Sequence, residues 1–261
     1  MRKSLIAVMV LAAAVAARAD DWNKTFQVTA TPSVVVDASE GSIEVFSVEA
    51  LEVSASVYTR GWRIADDEVQ VKAQQNGNRI EITVSIPSHA RFATFSNRSI
   101  RISVKVPATS DLDLRSKDGH LLVDGVKGNH RLYSGDGRIE ARGLDGKLKA
   151  ETRDGSMRVD GRFDQLDLNT GDGKIEADVK TGSRMSAGWS VRTGDGSVTL
   201  RLPQDFAADL TAHTGDGRVT VDLPLTVSGS LRENEMRGKL NGGGYPLEVR
   251  TGDGSIRLAR Y

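Results

Sequence analysis

Cysteine is absent from all 261 residues. That excludes a disulfide framework, thiolate chemistry and a lipid anchor on a processed cysteine. Aromatic residues make up only 5% and proline numbers 6, whereas glycine numbers 27. This balance suits many short strands and tight turns better than one bulky globular core. Basic charge is not in excess either, since Lys and Arg together number 35 and Asp and Glu together 35. A nucleic-acid partner would need a basic surface, so that class is disfavoured.

Long apolar runs are also lacking, with one exception at the start. Leu5 to Ala17 is an unbroken apolar run behind Arg2 and Lys3. It falls short of the roughly 20 residues of a bilayer span. Ala17-Arg18-Ala19 then supplies the small-x-small pattern of a cleavage site. Residues 1–19 therefore read as a signal peptide, and the chain as exported to the periplasm, the cell surface or the extracellular space. Its removal leaves 32 basic and 35 acidic residues, no transmembrane segment and no polybasic membrane signal.

What is present in quantity is a repeat. Asp-Gly pairs recur at Asp118-Gly119, Asp136-Gly137, Asp154-Gly155, Asp172-Gly173, Asp195-Gly196, Asp216-Gly217 and Asp253-Gly254. The aspartates are separated by 18, 18, 18, 23, 21 and 37 residues. The last gap spans about two units and predicts a diverged copy between 223 and 245. Within a unit, Leu148, Ala150 and Thr152 alternate with Lys147, Lys149 and Glu151, and Met157 and Val159 alternate beyond the Arg153-Asp154-Gly155 turn. Period-two alternation marks strands with one buried face. Asp-Gly supplies a positive φ cheaply at a tight turn.

Two arrangements fit. Units stack as coils of a parallel β-solenoid, or they form antiparallel hairpins in a meander. The 18-residue recurrence favours stacking, because a coil must return to the same angular position. The predicted fold is thus all-β: a parallel β-solenoid of about 18-residue coils over 107–261. Residues 20–106 would form a less regular N-terminal β-layer acting as its cap. Glu40-Gly41-Ser42-Ile43-Glu44-Val45 looks like a degenerate unit within that layer, so 20–261 also reads as one continuous domain.

These residues carry a resemblance. Ile102-Ser103-Val104-Lys105-Val106-Pro107-Ala108, Leu112-Asp113-Leu114, Val123-Asp124-Gly125-Val126-Lys127-Gly128, and Gly242-Gly243-Gly244-Tyr245-Pro246 leading to Thr251-Gly252-Asp253-Gly254-Ser255-Ile256 resemble the bacterial putative-adhesin family of unknown function with β-strand repeats. The resemblance implies a β-solenoid and an exported location. It brings no catalytic residues.

The stacked Asp-Gly column is the candidate ligand face. Carboxylates one strand apart, about 5 Å, repel one another. The column must then be exposed, neutralised or metal-bound, and exposure is the simplest reading. Calcium is the functional alternative, since oxygen-rich turns suit it. The Thr152, Thr170, Thr193, Thr214 and Thr251 column, with Ser116 and Ser134, reads as a solenoid corner, or if exposed as a ladder for ice or glycan. Asp160 with Asp164, and Glu176 with Asp178, are the acid pairs that a polysaccharide-active enzyme on this scaffold could use. His89, His120, His130 and His213 lack zinc spacing, and no Ser-centred nucleophile elbow occurs. Trp22, Trp62 and Trp189 read as core or edge packing, with sugar stacking as the alternative. The expectation is a non-enzymatic envelope protein with no catalytic residue and no required cofactor. Its partner would be a glycan, an envelope protein or another copy of itself.

Overall fold

The computed structural model describes residues 19–87, 98–228 and 232–261. The expected signal peptide lies outside these residues except for Ala19, as does His89. The described residues contain no helix, and their strands join in one 21-stranded sheet. The all-β expectation therefore holds.

Each unit puts down two strands in two different ladders, with the Asp-Gly corner between them. The regular units are the clearest. β8 (Asp111–Ser116) turns into β9 (Leu121–Asp124), and β10 (Lys127–Ser134) turns into the start of β11 (Ile139–Thr152). The end of β11 turns into the start of β12 (Met157–Asp172), whose end turns into β13 (Ile175–Val179). In the first ladder Leu112, His130, Leu148 and Leu166 stand in parallel register on successive strands. In the second, Leu121, Ile139, Met157 and Ile175 do the same. Partners are one sequence period apart, so the repeat length equals one circuit of the chain. The long β11 passes from the second ladder into the first through register shifts beside Leu144 and Lys147, where Gly143 and Gly146 take positive φ.

The inward residues of both ladders form one core, and burial alternates along the strands as the sequence does. Burying one Val, Leu or Ile contributes about 1.5–3 kcal/mol, and a parallel pair of short strands needs that contribution because it has no local turn to hold it.

Rung order departs from chain order at both ends. β2 (Ser33–Ala38) and β3 (Ser42–Val48) pair in parallel with β8 and β9, so the degenerate Glu40–Val45 unit is a rung of the same ladders. β6 (Arg79–Ser85) and β7 (Ser99–Pro107) lie on its far side. Beyond them β5 (Gln70–Asn76) pairs antiparallel with β6. β4 (Glu52–Arg60) pairs antiparallel with β7, and β1 (Ala19–Gln27) with β4. At the other end, β14 (Trp189–Asp195) and β15 (Val198–Leu202) stack on β12 and β13. The next rung is β20 (Pro246–Asp253) with β21 (Ile256–Arg260), the last in the chain. β16 (Ala208–Asp216) and β17 (Val219–Val221) come after it.

The diverged copy expected between 223 and 245 does not exist as a coil. That stretch carries β18 (Leu225–Val227) and β19 (Glu235–Leu240), which pair antiparallel with each other and, through β19, with β16. The gap is long because the chain crosses the end of the stack and returns to fill an inner rung.

Candidate functional site

The seven motif aspartates are exposed at the corner, and Asp172, Asp195, Asp253 and Asp216 lie in register on neighbouring strands. Asp136 is ion-paired with Arg153 of the next rung. Among the described residues no three His, Asp or Glu side chains gather around a metal-sized centre.

The motif glycines act differently from the expected turn chemistry. Of the seven, only Gly196, Gly217 and Gly254 have positive φ. A Cβ on Gly119 would lie 1.9 Å from the Gly41 carbonyl oxygen, and one on Gly137 would lie 1.9 Å from that of Gly119. Glycine is required because consecutive corners touch backbone to backbone. The corner joins strands of two ladders rather than closing a hairpin, so a hairpin's left-handed turn is not needed.

The Ser/Thr column completes that contact. Ser116, Ser134, Thr152, Thr170, Thr193, Thr251 and Thr214 are buried. Their hydroxyls donate to the carbonyls of Gly41, Gly119, Gly137, Gly155, Gly173, Gly196 and Gly254 at 2.7–3.1 Å. Each hydroxyl satisfies the corner carbonyl of a neighbouring rung. Burial removes the exposed ladder for ice or glycan that this column would otherwise have offered.

The acid pairs are tied up separately. Asp160 holds Lys180 at 2.7 Å and Asp178 holds Arg201 at 2.6 Å. The hydrogen bond from Arg162 draws the Asp164 carboxyl below its usual range, and that from Lys174 does the same for Glu176. A glycosidase acid needs the opposite shift, upward. Trp62 and Trp189 are buried and Trp22 is half-buried against the core, so none is an open stacking platform.

Sequence reasoning missed the outer face of the first ladder. Across β2, β8, β10 and β11 it forms a cleft of about 590 Å³ lined by Asp37, Asp113, Arg115, Lys117, Arg131, Tyr133, Lys149 and Glu151, among others. One outward column runs Asp113, Arg131, Lys149, Asp167, and its neighbour runs Asp37, Arg115, Tyr133, Glu151. Asp113 is engaged by Arg115 on its own strand at 2.9 Å. Lys149 reaches Asp167 only at 3.9 Å. Arg131 and Lys117 make no ion pair among the described residues. Like charges on adjacent strands, as at Arg131 and Lys149, cost stability. Tyr133, 44% exposed, stands in the next column between Arg115 and Glu151. The signal was available: Tyr133 follows the inward Leu132, so alternation alone turns it outward.

These features define an all-β repeat protein whose motif residues hold the rungs together and whose outer faces carry free polar chemistry. The chain belongs to the Toastrack DUF4097 family, whose profile matches residues 25–259. Among solved structures it is similar to a putative cell adhesion protein from Clostridium sporogenes, at 13% identity over 94% of this chain and 100% of that one, with a TM-score of 0.43. It is similar also to a putative adhesin from Bacteroides fragilis, at 12% identity over 92% and 97%, TM-score 0.48. A putative lipid binding protein from Parabacteroides distasonis matches at 12% identity over 92% and 97%, TM-score 0.41. No curated protein matches the chain.

Proposed function

We propose that this chain is an exported, non-catalytic binding protein of the bacterial cell envelope. In this reading it is a parallel β-solenoid closed at one end by the N-terminal β-layer and at the other by the β18–β19 hairpin. It presents the cleft around Tyr133 to a glycan, an envelope protein or another copy of itself. Export rests on Arg2, Lys3, the 5–17 apolar run and Ala17-Arg18-Ala19.

One observation carries the binding role. The buried hydroxyls and close-packed glycines of the repeat are consumed in rung-to-rung contacts, whereas the Arg131, Lys117 and Tyr133 side chains have no partner among the described residues and line a cleft of ligand size. An exposed aromatic flanked by unpaired cations on rigid strands is a contact surface that folding alone does not require.

The test is co-sedimentation of the purified protein with envelope fragments of the producing bacterium. The Arg131→Glu/Tyr133→Ala double variant should lose at least tenfold in bound fraction while keeping its melting temperature, because both positions are exposed. Equal sedimentation of wild type and variant would reject the cleft as the contact surface.

A further inference from the structure

The regular corner opposite Asp-Gly is a short glycine turn, but three connections into the first ladder are longer. They are residues 180–188 into β14, 203–207 into β16 and 241–245 into β20. The first two account for the spacings of 23 and 21 in place of 18. In the stack β14, β20 and β16 are consecutive neighbours, so three loops far apart in sequence meet at one corner. Insertions on one face of a repeat array are a frequent way of building a binding face.

The loops enclose two adjoining hollows of about 530 and 640 Å³, both lined by Thr181 and Asp205. Tyr245 lines the first and Tyr261 the second, each 51% exposed. The trough is built rigidly. Phe206 is buried beneath it, tilted against Trp189 with ring centroids 5.0 Å apart. Asn241 adopts φ 46°, held there by Nδ2 donating to the carbonyls of Gln204 at 2.8 Å and Phe206 at 2.9 Å. A non-glycine residue in that region costs stability, and such strain gathers at functional sites. Lys180 sits 4.6 Å from the Tyr261 ring centroid and pairs with Asp160, which fixes the ring's position.

We infer that this trough is a second binding site, for a hexopyranose oligosaccharide. Two exposed tyrosines on adjoining hollows offer ring faces to the apolar C–H faces of pyranose rings, and Lys180 Nζ donates a hydrogen bond to the Tyr261 hydroxyl. Asp205, at the stretch shared by both hollows, makes no ion pair among the described residues. A carboxylate there accepts sugar hydroxyls. Arg184 lines the first hollow without an ion pair among the described residues, and Arg260, hydrogen-bonded to Gln204, lines the second, so guanidinium donors stand beside the Asp205 acceptor.

Titration calorimetry of the purified protein against cellohexaose, chitohexaose, laminarihexaose and maltohexaose tests the site. At least one should bind, and Tyr245→Ala and Tyr261→Ala should each weaken it tenfold or more with unchanged melting. Asp205→Asn should weaken it less, and Arg131→Ala, in the Tyr133 cleft, not at all. The inference is overturned if none of the four binds at millimolar concentration, or if the Tyr245→Ala/Tyr261→Ala double variant binds as wild type. Because the cleft variants are read out separately, failure here leaves the Tyr133 reading intact, and the converse holds.

Discussion

His130 stands where Leu112 and Leu148 stand on the strands to either side. Its ring is 2% exposed, Nε2 lies 3.2 Å from the Val126 carbonyl oxygen, and Nδ1 has no hydrogen-bond partner among the described residues. Burial pushes its pKa down to about 4 from an ordinary 6.5. The ring is therefore neutral in the folded chain, with Nε2–H donating to Val126. Below pH 6.5 the unfolded chain takes up a proton that the folded chain refuses. The stability this site confers is complete above 6.5 and is lost as pH falls toward 4. The difference amounts to about 3 kcal/mol across that window. Urea unfolding of wild type and His130→Leu at pH 7, 5.5 and 4 should show the wild type losing that much more than the variant. Parallel pH profiles for the two proteins would mean that another group drives the acid loss.

At the scale of the strand and its corner, stacking rests on close backbone approach and a buried hydroxyl, not on the carboxylates that make the motif visible. A Cβ on Gly137 would meet the Gly119 carbonyl oxygen at 1.9 Å and the Ser134 hydroxyl oxygen at 2.6 Å. Gly137→Ala should therefore destabilise the protein by about 3 kcal/mol, as an overpacked interior does. Asp136→Asn, at an exposed position, should change stability by less than about 0.5 kcal/mol. Chemical denaturation in chelator-treated buffer measures both, and the reverse ranking would give the aspartate column a role of its own, calcium binding among them. Much of this was legible in the chain. The regular spacing of Asp118, Asp136, Asp154 and Asp172 set the register, and alternation separated inward Leu148 and Ala150 from outward Lys149. The purpose of the glycines was not legible, because it depends on a corner one full period away. The loop trough was visible only as two departures from the period, and the loops that form it meet through stacking.

For the whole molecule, the illegible feature was the order of the rungs. Thr251-Gly252-Asp253-Gly254-Ser255-Ile256 and Thr170-Gly171-Asp172-Gly173-Lys174-Ile175 offer nearly the same surface to a neighbour, so local sequence does not record which rung abuts which. The closing strands decide it. β16 accepts β19 antiparallel on one edge and β20 parallel on the other. The terminal hairpin thereby covers an edge that would otherwise be open to pairing with another chain. The segment 246–261, last in the chain, is thus an inner rung holding β16–β17 to β14–β15. In a stack that followed chain order, removing it would trim one end and expose one rung. Here its removal should strip 208–240 of its partner. Hydrogen exchange on a chain ending at residue 245 should show 208–221 and 235–240 exchanging freely, with 111–179 still protected. Persistent protection of 208–221 would mean that β16 can seat directly on β14 and that the inserted rung is dispensable.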